Sequence, residues 1–239
     1  MHKKLRSLLS LVFVAAMLLA LALPAFASEG ETIRNVNEAY KLVHNTQLVA
    51  VYDATLYADG QNGESVYYIV CRGLDFTELD PEQPRSYANA IKVGLSDENN
   101  SYVKTIAKII KNNIPEGSKL VFVGHSLGGM VIQQAIARRE IKDKYEILYT
   151  LSIGSPYILT SSTKEGTLRR MVDRLDPVPY LSIPLLANPC IGGACLETSF
   201  KAPLVHFRSY EEGCCWKKYD ALGKKNGKGY LVLNELLYS

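Results

Sequence analysis

This sequence has little surplus charge, few histidines and, beyond its first 27 residues, no apolar run long enough to cross a bilayer. Each shortage excludes something. The chain carries 27 Lys and Arg against 24 Asp and Glu, but Lys3, Lys4 and Arg6 sit in an N-terminal leader, and without them the balance is 24 to 24. The basic footprint of a nucleic-acid binder is missing, so no nucleic-acid partner is expected. There are four histidines and five cysteines, and no histidine has a zinc-like spacing to the cysteines, so no metal site is expected. No internal repeat and no low-complexity tract occurs outside the leader.

The leader itself is informative. Lys3, Lys4 and Arg6 precede an almost unbroken apolar run from Leu8 to Leu23, and Ala25-Phe26-Ala27 has the pattern of a signal-peptidase site. Residues 1–27 therefore read as a cleaved signal peptide, leaving one domain over 28–239 and a secreted, extracellular location. No lipid-anchor cysteine follows the cleavage site. In an exported protein disulfides persist. Two bridges joining Cys190 and Cys195 to Cys214 and Cys215 are expected, in a connectivity that spacing does not choose. Cys71 lies in an apolar strand pattern and reads as a buried free thiol.

What is present is organised around Leu120 to Met130. Four apolar residues run into Gly124-His125-Ser126-Leu127-Gly128, and a helical pattern follows. This is G-x-S-x-G in a strand–turn–helix context, a turn that presents a serine hydroxyl above a sheet. Gly124 and Gly128 fall where side chains would collide with neighbouring backbone. The following helix N-terminus favours developing negative charge, and the Leu127 N–H is placed to meet an oxyanion.

Around this centre, Glu31 to Gln47 carries a helical stripe, and Leu48 to Tyr57 with Ser65 to Cys71 reads as a strand hairpin. The hairpin ends in Arg72-Gly73-Leu74, where the Leu74 N–H is the candidate second oxyanion donor. Phe76 to Asn100 is polar, contains proline and could act as a lid. Tyr102 to Asn112 is an amphipathic helix. Ile147 to Ile153 is the next strand, ending in Gly154-Ser155-Pro156. Strand, helix, strand around the serine makes a βαβ unit, hence a three-layer α/β fold with a central, mostly parallel sheet. Gly229 to Tyr238 reads as either a terminal helix or a strand.

A serine nucleophile needs a base, and the base needs an orienting acid. Behind a serine elbow the order is Ser, then Asp or Glu, then His. His2 leaves with the leader, His44 precedes the serine and His125 adjoins it, which leaves His206. Asp143, Glu146, Asp173, Asp176 and Glu197 all lie between Ser126 and His206. Asp176 is the best placed, following a strand-like Leu168 to Leu175 and preceding Pro177-Val178-Pro179. Asp173 is its main competitor.

Four pieces in this order, Arg72-Gly73, Gly124 to Gly129, Gly154-Ser155-Pro156 and Asp176 to Pro179, resemble the class 3 (fungal-type) lipases of the α/β-hydrolase superfamily. The resemblance implies Ser126 as nucleophile, Asp176 as triad acid and His206 as base. Leu74 stands where that family usually has Thr or Ser, which leaves only a backbone donor there. The implied activity is hydrolysis of carboxylic esters, lipid or acyl esters above all, through an acyl-enzyme and without a cofactor. The alternatives are a peptidase, amidase or thioesterase using the same triad, or a catalytically silent extracellular binding module. Tyr180 to Leu196 is apolar but broken by Pro184, Pro189 and Gly192-Gly193, so no regular element is expected through it. Leu181, Ile183, Leu185 and Leu186 are its candidate substrate-binding residues, as an acyl-pocket wall or a rim in transient contact with a lipid interface.

Overall fold

The computed structural model describes residues 30–58, 60–73, 100–181, 194–198 and 205–239. The leader, Leu74, the stretch 76–99, Ile183, Leu185, Leu186 and Cys190 lie outside them. No helix among the described residues is long and apolar enough to cross a membrane.

The chain runs β1 (Thr32–Ile33), α1 (Val36–Asn45), β2 (Val49–Tyr57), β3 (Glu64–Cys71), α2 (Ser101–Asn113), β4 (Lys119–His125), α3 (Leu127–Ala135), α4 (Arg139–Lys142), β5 (Glu146–Ile153) and β6 (Thr167–Asp173). A 3-10 turn at Val178–Leu181, β7 (Ala194–Glu197), α5 (Val205–Glu212), a second 3-10 turn at Cys214–Lys218 and β8 (Tyr230–Tyr238) complete it. The strands form one sheet in the order β1-β8-β2-β3-β4-β5-β6-β7. From β3 to β7 every pairing is parallel, and β1, β8, β2 and β3 pair antiparallel. This is the mostly parallel α/β sheet that the βαβ reading leads to.

Strand alternation sorts the core into two layers. Val121 and Val123 of β4 face one cluster with Tyr40, Val43, Tyr210 and Trp216, so α1 and α5 cover that side. Leu120 and Phe122 face the other with Val103, Ile106, Val131 and Ile132, from α2 and α3. Burial on both faces explains why β4 is apolar throughout rather than alternating.

Three expectations need correction. The stripe from Glu31 does not form helix from its start. Thr32 and Ile33 pair with β8, and Asn35 caps α1 by accepting from the Glu38 N–H at 3.1 Å, while the Glu38 carboxylate accepts from the Arg34 N–H at 2.6 Å. The apolar Tyr180 to Leu196 segment ends in regular structure, because Ala194–Glu197 finds an open edge beside β6 and pairs with it. Finally, the expected disulfides are not formed among the described residues: Cys195, Cys214 and Cys215 are free thiols. Burial raises the thiol pKa of Cys195, and that of Cys215 to about 11, so both are poor nucleophiles at neutral pH. Cys71 is a free, fully buried thiol, and Gly229 to Tyr238 resolves as strand β8.

Candidate active site

Parallel strands end together, so the C-terminal edges of β4, β5 and β6 form one rim. Ser126 occupies it directly after β4. Its φ of 54° and ψ of −122° are strained for a side chain larger than hydrogen. The turn is held from three sides. The Ser126 N–H donates to the Ile153 carbonyl at 3.0 Å, and its own carbonyl accepts from the Met130 N–H at 3.1 Å and from Ser155 Oγ at 2.8 Å.

Glycine is required where the turn is tightest. A Cβ on Gly124 would lie 2.6 Å from the Gly128 carbonyl carbon, and one on Gly128 would lie 2.1 Å from the Cys71 carbonyl oxygen. α3 thus starts against the end of β3, with Leu127 as its first residue and its N-terminal dipole beside Ser126. The loop after β3 passes equally close. A Cβ on Gly73 would sit 2.7 Å from the His125 carbonyl oxygen and 2.8 Å from Ser126 Cβ. Tyr102 anchors that loop, its hydroxyl donating to the Arg72 carbonyl at 2.8 Å. Leu74 lies just past the described part of it.

Asp176 follows β6 and is fully buried. Its Oδ1 accepts from the Val178 N–H at 3.0 Å, an Asx turn made by the Asp-Pro-Val sequence. Its Oδ2 meets His206 Nδ1 at 2.8 Å. His206 is the second residue of the helix α5. Asp173, the rival carboxylate, points elsewhere: Oδ1 accepts from the Leu175 N–H at 2.8 Å and Oδ2 from the Ser209 hydroxyl. Both aspartates are thus held by α5, through His206 and Ser209 respectively.

Several participants were not singled out from the sequence. Tyr210, one turn after His206, donates its hydroxyl to the same Asp176 Oδ2 at 2.8 Å and accepts from the Asp173 N–H at 3.0 Å. Burial and the Asp176 charge push the Tyr210 pKa well above 10, so it remains a proton donor. Asn37 of α1 donates to the carbonyls of Tyr210, Glu211 and Gly213 at 2.8, 3.1 and 3.2 Å, closing the C-terminus of α5. The Nε2 of His125 lies 3.0 Å from the His206 backbone carbonyl. The rings of His125 and His206 are 4.5 Å apart between centroids. His206 is therefore adjacent to the residue preceding Ser126. The His206–Tyr210 spacing of four was a readable signal, given a helix there; the contacts of Asn37 and His125 had none.

Among the described residues no group of His, Cys, Asp and Glu is arranged to hold a metal ion. Of the substrate-binding candidates, Leu181 closes the 3-10 turn after Asp176 and is 37% exposed.

A family model for a PGAP1-like α/β domain matches residues 85–184, a span that holds Ser126 and Asp176 and stops before His206. None of the curated proteins compared matches the chain. Among solved structures, native Rhizomucor miehei lipase in its propeptide complex is 20% identical over 48% of this chain and 43% of its own, with a TM-score of 0.28. Nonglycosylated LIP2 lipase of Yarrowia lipolytica is 14% identical over 58% of this chain and 63% of its own, with a TM-score of 0.29. A second structure of Yarrowia lipolytica Lip2 lipase, also 14% identical, is matched over 82% of this chain and 74% of its own at a TM-score of 0.35. The chain thus spans less than two thirds of the first two lipases. The five-strand parallel run and the serine elbow after β4 give this chain an α/β-hydrolase-like fold.

Proposed function

We propose that this protein of α/β-hydrolase-like fold is a secreted serine hydrolase of carboxylic esters, with lipid or acyl esters as its substrate class. One observation carries the reading: a serine at positive φ between β4 and α3 shares its rim with a buried His206–Asp176 pair. Ser126 Oγ attacks the ester carbonyl while His206 Nε2 takes its proton. The Asp176 carboxylate, on the opposite ring nitrogen, fixes the tautomer and stabilises the imidazolium. The N–H groups of Leu127 and Leu74 receive the oxyanion. His206 then protonates the leaving alkoxide, and water, activated by the same imidazole, releases the acid and restores Ser126. The acyl chain runs along Leu181 and the apolar Ile183, Leu185 and Leu186 that follow it. The leader ending at Ala27 directs export.

The decisive experiment is covalent labelling by a fluorophosphonate with an ester panel of graded acyl length. Wild type should label and turn over esters faster than matched amides, and Ser126→Ala should do neither, losing on the order of 10⁴–10⁶ in kcat. Equal turnover by Ser126→Ala would remove the nucleophile assignment. Each methylene held by the apolar wall contributes about 0.8 kcal/mol at most. Leu185→Asp with Leu186→Asp should therefore depress long-chain turnover selectively. An equal loss on short esters would place those leucines in the core instead.

A further inference from the structure

We propose that His125 is a positioning residue for the base: its Nε2–H holds the backbone carbonyl of His206 and so registers α5 against the nucleophile strand. The inference rests on the reading of Ser126 and His206 as nucleophile and base. A backbone carbonyl only accepts, so the contact at 3.0 Å requires the proton on His125 Nε2. The helix leaves the second lone pair of that carbonyl free to take it. The donor belongs to the last residue of β4, adjacent to Ser126, and the acceptor to the residue that carries the base. A single side chain thus joins the two reacting elements across 81 residues of sequence.

The surroundings hold this ring in one orientation. Tyr40 of α1 meets it edge-on at 4.9 Å between centroids, Phe207 lies at 5.7 Å and Tyr210 at 5.7 Å. His125 is 4% exposed, and burial with the neighbouring His206 keeps its pKa well below 6.5, so the ring stays neutral. Gly154, in the Gly-Ser-Pro segment after β5, supplies the space: a Cβ there would lie 3.1 Å from His125 Nε2 and 2.8 Å from Tyr210 Cε2. Its φ of 56° also suits glycine. The segment accordingly acts twice, Gly154 seating His125 and Ser155 bracing the Ser126 carbonyl.

The test compares three substitutions in the purified full-length protein by ester kinetics, fluorophosphonate labelling rate and thermal midpoint. His125→Phe keeps ring volume and removes the donor; His125→Gln restores an Nε2–H at similar reach; His125→Asn is polar but too short. Misplacing a catalytic group by about 1 Å costs on the order of 10²-fold. His125→Phe and His125→Asn should therefore lose 10–100-fold in kcat and in labelling rate with KM nearly unchanged, and His125→Gln should recover most of both. If His125→Phe does not fold, the Asn-to-Gln contrast decides. Wild-type kcat in the Phe or Asn variant, or equal loss in Gln and Asn, overturns the proposal. A wild type that neither labels nor hydrolyses esters fails the enzyme reading instead, a distinct result.

Discussion

At the residue scale, two aspartates three positions apart differ in the side chains that α5 brings to them. Asp176 receives His206 Nδ1, whereas Asp173 receives Ser209 and the Leu175 N–H. Asp176→Asn should leave the serine–histidine pair in the wrong tautomer and lower kcat by roughly 10⁴-fold, as measured with a soluble short-chain ester. Asp173→Asn should keep kcat within a few-fold while lowering stability by about 1–3 kcal/mol, read from urea midpoints, because it weakens buried bonds. A second prediction concerns acid. Unfolded His125 takes up a proton near its ordinary value of 6.5, but the folded ring, buried beside His206, resists it until well below that value. Acidification below pH 6.5 therefore favours the unfolded chain, by at most about 1.4 kcal/mol per pH unit from this group. The thermal midpoint should fall from pH 6.5 to 5, and less steeply in His125→Gln. The sequence separates His206 from the other histidines by chain order, and ranks Asp176 above Asp173 by its place between a strand-like run and Pro177-Val178-Pro179. Which side chain each carboxylate meets is set by α5, which brings His206 to Asp176 and Ser209 to Asp173.

At the scale of elements, the elbow was legible because three local signals coincide: an apolar strand, glycines two residues either side of a serine, and a helical stripe. The hairpin of β2 and β3 was legible through its turn residues, and α2 through its spacing. What stayed hidden was made by distant partners. β7 forms only because β6 offers an edge, and α5 is closed by Asn37 of α1, more than 170 residues earlier. Asn37→Ala would leave three carbonyls at the end of α5 without this donor. We expect a loss of about 1–3 kcal/mol in stability, with thermal scans as the check. The glycines allow a sharper contrast. Gly128→Ala drives a Cβ into the Cys71 carbonyl, and backbone on both sides prevents relief, so the chain should fail to reach its folded state on expression. At Gly117, with φ of 84° and nothing near the added carbon, alanine should cost only about 1–2 kcal/mol of backbone strain.

At the scale of the molecule, the sheet is not closed in the order in which the chain runs. β8 lies between β1 and β2, pairing Thr32 with Val232 on one side and Tyr57 with Tyr230 on the other. Leu231 and Leu233 of β8 are buried in the same cluster as Tyr40 and Trp216. Removing residues 230–239 would expose both flanking strands as unpaired edges, so the truncated chain should aggregate, which light scattering on refolding would show. That placement also has a consequence for biosynthesis. A ribosome delivers β1 and β2 early, yet the slot between them stays empty until Tyr238 has left the exit tunnel. The elbow, α1 and α5 pack on a sheet that lacks its strand between β1 and β2 until residues 230–238 are made, so the native sheet closes only after β8 has been synthesised.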